Sequence, residues 1–346
     1  MRKTFVLAML GSAFASGGAG AIVALRTPVD LLPQVLYSTL KKQPLATETA
    51  SATGEVLLKN KTTDLNTANR PESQDASLIS HTKESARFGR IMQYAVEQKL
   101  PDREMGDIMQ AIAQQFLGAQ YKANLLDGSP EETLTISLDK FDCVLFVETV
   151  LALARGVAVK DYAYQTFSDR IVNERYRDGQ LNGYCSRLHY FVEWIFDNQK
   201  RGNVADIAPQ LGGVSLHKKL NFMSKNRSLT PPIANNDANY HCLVETEKKL
   251  DELSINYIPI NQIRRVYAQL QPGDVVAVAT SIEGLDVTHT GLVYRNQNGN
   301  IGIIHASPSG TVRISRDLQV YVGNIKNAIG IMVARPSDPR PLLRRG

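Results

Sequence analysis

The stretch FDCVLFVETVLALARG, Phe141 to Gly156, decides the fold. From Phe141 to Arg155 it is apolar on nearly every side of a 3.6-residue period, so the spacing predicts a helix at the centre of a core rather than an amphipathic surface helix. An acid and a cysteine stand at its mouth. Asp142 is suited to be the N-cap, which places Cys143 in the first turn, where unpaired backbone N–H groups and the positive end of the helix dipole favour a thiolate. The pair has a second reading: cysteine is among the most buried residue types, and an Asp N-cap is ordinary.

Working outward, ARFGRIMQYAVEQ and REMGDIMQAIAQQFLG carry apolar residues at three- and four-residue spacings and predict two helices that open the domain from about Glu84. Asp161 to Tyr176 and Arg187 to Asn198 predict two more, the latter holding the single tryptophan, Trp194. Gly212 to Tyr240 reads as loop-rich, with Pro231-Pro232 inside it. Beyond Pro272-Gly273-Asp274 the text turns to short strands, VVAVAT, THTGLVYR, GIIHAS, TVRIS and AIGIMVAR, separated by Asn-Gly, Ser-Gly and Gly-Asn turn signals. Helices followed by a run of antiparallel strands make the fold class α+β. There is no internal repeat.

The 346 residues, 43% of them hydrophobic, are enough for a sizeable core. Lys plus Arg (39) against Asp plus Glu (34) leaves +5, with the signs interspersed except for Arg340, Arg344 and Arg345 at the C-terminus, so no nucleic-acid partner is expected. Met1-Arg2-Lys3 is followed by 22 uncharged residues, Thr4 to Leu25. This is an export signal, either cleaved near Ala13-Phe14-Ala15 or kept as an anchor across a bilayer core of ~30 Å, and it points to the periplasm or cell envelope. Residues 26 to 83, rich in Thr, Ala, Ser and Asn, read as a flexible polar tether, with VDLLPQVLYSTL a local helix within it. The domain then runs from 84 to 338, and a basic tail from 339 to 346. Cys143, Cys185 and Cys242 are an odd set for an exported chain, so at least one thiol is unpaired; the sequence leaves a Cys185–Cys242 disulfide open.

Two histidines complete a constellation. His289 opens the strand THTGLVY, and His305, 16 residues later in IIHAS, lies on the next strand of the hairpin. Adjacent antiparallel strands bring such residues side by side, so one imidazole can serve as base for a thiol while the other orients it. A zinc site from Cys143, His289 and His305 lacks a fourth ligand and any local C-x-x-C or H-x-x-H pair. His81, His189, His217 and His241 have no comparable setting.

FDCVLFVETVLALA, HTGLVY and IIHAS resemble the signature blocks of the NlpC-type bacterial cell-wall cysteine peptidases. FLGAQY (Phe116 to Tyr121), the DC-x-x-FVE block, SRLHYFVEWIFDN (Ser186 to Asn198), NFMS (Asn221 to Ser224), GLDVTHTGLVY (Gly284 to Tyr294) and HAS are similar to the N-acetylmuramoyl-L-alanine amidase-like branch, formerly a domain of unknown function, over about residues 85 to 335. The resemblance implies a papain-like fold, with the nucleophile helix packed on the antiparallel sheet of the C-terminal half. It implies Cys143 as nucleophile, His289 as base and His305 as orienter, acting without metal or organic cofactor on peptidoglycan or muropeptides. The bond is that between N-acetylmuramic acid and L-alanine; the alternatives are a γ-D-glutamyl-diamino-acid endopeptidase and a non-catalytic wall-binding module. Tyr121, Asp142, Arg187, His189, Asp286 and Ser307 are the candidate substrate contacts, with Tyr121 also readable as packing, Arg187 and His189 as helix braces and Asp286 as a strand-positioning residue. Leu145 stands where the family block has threonine, and altered packing or pocket polarity is expected there.

Overall fold

The computed structural model describes residues 72–129 and 131–341, with side chains described from Lys83 onward. Residues 1–25, expected to be an export segment, residues 26–71 of the expected tether and the residues beyond 341 lie outside the described residues.

The helices are α1 (Glu72–Glu97), α2 (Met105–Gln114), α3 (Cys143–Ala158), α4 (Tyr164–Arg175), α5 (Phe191–Lys200), α6 (Phe222–Lys225), α7 (Pro231–Ala234), α8 (Asp237–Leu250) and α9 (Leu318–Gly323). The strands are β1 (Gln120–Tyr121), β2 (Lys140–Phe141), β3 (Val204–Asp206), β4 (Val214–His217), β5 (Ser254–Pro259), β6 (Val275–Thr280), β7 (Val287–Arg295), β8 (Ile301–Ala306), β9 (Val312–Ser315) and β10 (Ala328–Pro336). The α+β class expected from the sequence is observed. α1 begins at Glu72, inside the segment read as tether.

β4 to β10 form an antiparallel sheet in the order β4-β5-β10-β6-β7-β8-β9, with β3 paired to the end of β10. β6 is buried at every position because both faces of the sheet are covered. Val275, Ala277 and Ala279 pack with Phe146, Val150 and the other helical residues of the main core. Val276 and Val278 face a second cluster with Ile303, Leu318 and Val322, under α9.

The opening stretch folds as its pattern dictates. α3 is buried along almost its whole length, as an apolar run on all sides requires. It stops where Lys160 takes a left-handed φ of 58°, while the Lys160 and Asp161 N–H groups return to the Val157 and Gly156 carbonyls. Inside α3, Glu148 accepts from Arg175 Nε of α4 at 2.8 Å, a fully buried pair that ties the two helices.

Two sequence expectations need correction. The helix read from Arg187 begins at Phe191, preceded by a 3₁₀ turn at Tyr184–Ser186. The middle read as loop contains β4 and the short α6 and α7, and it runs into α8 and β5, which the sequence reading did not assign.

Candidate active site

Asp142 caps α3: its carboxylate accepts from the Leu145 N–H at 2.8 Å. Burial pushes the carboxyl up to about 6, against the pull of that N–H, with Glu148 adding to the rise. The cap is satisfied by a backbone group, so leucine at position 145 leaves it intact; the Leu145 side chain is fully buried in the core. Cys143 follows at the first helical position, 4% exposed, and is the cysteine outside the disulfide. It opens onto a cavity of about 140 Å³ that His289 also lines.

The strand register explains the two histidines. Leu292 pairs with Ile304, so the next position of the ladder sets Gly291 across from His305, and His289 is two residues from Gly291 on the same face. With no side chain at Gly291 to fill the gap, the His305 ring reaches diagonally to His289: Nε2 of His289 lies 2.8 Å from Nδ1 of His305, with the rings perpendicular at 89°. His305 Nε2 lies 3.3 Å from Ser315 Oγ on β9. Burial depresses His289 to about 4 and holds His305 well below its ordinary value, the latter helped by His289 and Arg313, so both rings are neutral at neutral pH.

Neutral rings leave two possible directions of donation along this chain. With Nε2–H of His289 donating to His305, and Nε2–H of His305 donating to Ser315, Nδ1 of His289 keeps a free lone pair. The reversed direction of donation gives it none.

The sequence reading missed Tyr321, on α9. Its ring centroid is 4.7 Å from that of His305, its hydroxyl is 3.4 Å from Nδ1, and burial followed by the charge of Cys143 raises its pKa. A short helix distant in sequence and rich in apolar residues carries no local sign of this contact.

The remaining candidates separate. His189 and Asp286 line the Cys143 cavity, together with Leu188, Phe191, Trp194 and Leu285. The His189 Nε2 is 3.0 Å from the Tyr184 carbonyl, and burial with the Arg187 charge depresses its pKa strongly. The Asp286 carboxylate accepts from the N–H groups of Val192 and Val287, each at 2.8 Å. It caps α5 from the bend just before β7, 94 positions away, which is why that helix starts at Phe191. Tyr121 sits on β1 beside Phe141 of β2, the strand that leads into Cys143, and its N–H donates to the Gly310 carbonyl at 2.7 Å.

Arg187 and Ser307 are not among the residues lining that cavity. Arg187 is buried against Asp127 at 2.8 Å and Glu132 at 3.6 Å, with its guanidinium over the Tyr184 ring, so its charge is spent on bracing the 125–132 segment. Ser307 closes the turn into β9 with Ser309, their hydroxyls 2.9 Å apart. Among the described residues no group of three or more His, Cys, Asp or Glu side chains is arranged to hold a metal ion. Cys185 and Cys242 are joined in a disulfide with Cα atoms 6.1 Å apart, tying the turn before His189 to α8.

Cys143, at the start of a buried helix, and His289, one of the hydrogen-bonded histidine pair on the antiparallel sheet, line the same cavity. The chain belongs to the AmiA-like, N-acetylmuramoyl-L-alanine amidase-like family, whose model matches residues 111–331. It is similar to an N-acetylmuramoyl-L-alanine amidase from Bacteroides uniformis (28% identity, TM-score 0.63, covering 67% of this chain and 99% of that one). A putative xylanase from Bacteroides fragilis is also similar (30% identity, TM-score 0.57, 64% and 98% covered). A Legionella pneumophila protein of the DUF1460 family shares the fold at 20% identity and TM-score 0.56, with 75% and 97% covered. No curated protein matches.

Proposed function

We propose that this protein is a cysteine-dependent peptidoglycan amidase of papain-like type that cleaves the amide between N-acetylmuramic acid and L-alanine. The observation that carries the reading is the His289–His305 hydrogen bond beside the cavity onto which Cys143 opens. Family membership and the Bacteroides uniformis amidase supply the substrate class.

In the mechanism, Nδ1 of His289 takes the Cys143 proton, and Sγ attacks the lactyl carbonyl carbon. Backbone N–H groups at the start of α3 receive the developing oxyanion. The C–N bond breaks, the L-alanyl amine leaves with the proton from His289, and a thioester remains. Water, deprotonated by His289, attacks that thioester, releasing the muramic carboxylate and restoring the thiol. His305 keeps His289 in the required tautomer.

The lining of the cavity favours this bond over the γ-D-glutamyl one. It contains no Lys or Arg, its acid, Asp286, is engaged with backbone N–H groups, and most of the rest is apolar. The muramoyl–alanine amide is flanked by methyl groups, which such a surface accepts; a γ-D-glutamyl bond brings a carboxylate, which it would leave unpaired.

An exported location agrees with the apolar segment from Thr4 to Leu25 and with the Cys185–Cys242 disulfide, which persists in an oxidising compartment. Among the described residues no helix is long and apolar enough to cross a membrane.

Purified protein incubated with defined muropeptides, with products weighed by mass spectrometry, tests the assignment. Release of the intact peptide from the sugar is expected, and Cys143→Ala should abolish it. A dipeptide left on the sugar, or full activity in Cys143→Ala, would overturn the proposal.

A further inference from the structure

The apolar cavity is one flank of the site; the other is polar and carries a cation. The turn Ser307–Gly310 leads from β8 into β9, and it is bound to β1, which pairs with β2, the strand that leads into α3. Gly310 accepts from Tyr121, and Gln120 bridges Thr311. On β9, Arg313 is the register partner of His305. Direct partners in an antiparallel ladder leave the same face with Cβ atoms about 5 Å apart, so the guanidinium extends from beside the histidine pair. Arg313 is exposed, and its Nη1 lies 3.3 Å from Ser309 Oγ. Among the described residues no carboxylate forms an ion pair with it, whereas Arg335, on β10, is held by Asp274. Its charge reaches the cluster: it helps keep His305 neutral and opposes the rise at Tyr321.

We propose that Arg313 binds the carboxylate of the amino acid or peptide on the amine side of the scissile amide. The inference rests on the amidase reading. An L-alanyl leaving group is an amino acid or peptide and therefore carries at least one carboxylate, and the cavity flanked by Trp194 and Leu285 offers it no cation. The opposite flank does. A guanidinium with free N–H groups matches a carboxylate through two parallel hydrogen bonds. The two flanks then divide the substrate, with the methyl-bearing lactyl side toward the apolar cavity and the anionic peptide toward β9. The scissile carbonyl lies between them at Cys143.

The test uses the full chain and two probes: N-acetylmuramoyl-L-alanyl-D-glutamate, and the same compound with both carboxylates amidated. The wild type should prefer the acid, with a KM about fivefold lower than for the diamide, the scale of an exposed charge pair. Arg313→Gln should raise KM for the acid to the diamide value and leave kcat nearly unchanged. Arg313→Lys should keep part of the preference, and added salt should erode the preference in the wild type and in Arg313→Lys while changing nothing in Arg313→Gln. If Arg313→Gln retains the wild-type ratio between the probes, or lowers both equally through kcat, the inference fails while the amidase reading stands. If the wild type cleaves neither probe at the muramoyl–alanine bond, the amidase reading fails and takes this inference with it.

Discussion

Gly291 determines where the two imidazoles can stand. A Cβ at this position would lie 2.8 Å from the His305 Cβ and 2.8 Å from the Ile303 Cδ1, closer than real side chains approach. Gly291→Ala should therefore displace His305, costing about 1–3 kcal/mol of stability, as overpacking does, and reducing hydrolysis on the order of 100-fold through lost alignment. Denaturant unfolding and muropeptide turnover measure the two effects, and an alanine variant with normal turnover would show that the diagonal contact is dispensable. His289 allows a second test. Its pKa falls from 6.5 to about 4 on folding, so below 6.5 the unfolded chain binds a proton that the native state refuses. Stability from this group is whole above 6.5 and is lost as pH falls toward 4, amounting to about 3 kcal/mol. His289→Gln removes the titration, so its stability should drop less than that of the wild type between about pH 7 and about pH 4.5 in matched guanidinium unfolding curves. Equal losses in the two proteins would mean that His289 is not held neutral.

At the scale of elements, Asp286 joins the site strand to α5. Its carboxylate supplies the cap that Tyr190, at the N-cap position of α5, does not. Asp286→Ala should cost about 1–2 kcal/mol and raise KM, because Phe191 and Trp194 of the cavity wall ride on that helix. The stability loss is read by urea unfolding, and an unchanged urea midpoint would rule out the cap. This contact also shows why the start of α5 was misread: the residue that sets it is 94 positions away, and local text from Arg187 onward gives no stop. The hairpin strands were legible because alternation and turn signals are local, as was α3, whose acid, thiol and apolar run occupy one window. α8 was not, because its buried face mixes Leu243 and Leu250 with Thr246 and Glu247. Glu247 is inside to accept from Tyr190 and from the Ser224 N–H, so a polar residue stands where the pattern demands an apolar one.

For the whole molecule, the question is what holds the helical walls of the cavity to the sheet that carries the histidines. Burial in the main core does this for α3, but the turn at Tyr184–Ser186 packs in a small separate cluster with Ile233 and Leu243. The sequence left the pairing of Cys185 open because spacing does not reveal distance. In the fold, the bond to Cys242 closes a loop of 57 residues and anchors that turn to α8. Closing a loop of this length in the unfolded chain is worth about 4 kcal/mol on the chain-entropy account. A Cys185→Ser/Cys242→Ser double variant should therefore unfold at a clearly lower urea midpoint, and the wild type in reductant should match it. Because His189 and Leu188 follow the turn into the cavity wall while Cys143 and the histidines sit on α3 and the sheet, the double variant should raise KM more than it lowers kcat. A wild type whose midpoint is unmoved by reductant, with two additional thiols titrating, would remove the disulfide as the brace of this wall and leave the bonds of Arg187 to Asp127 and of Tyr190 to Glu247 to hold it.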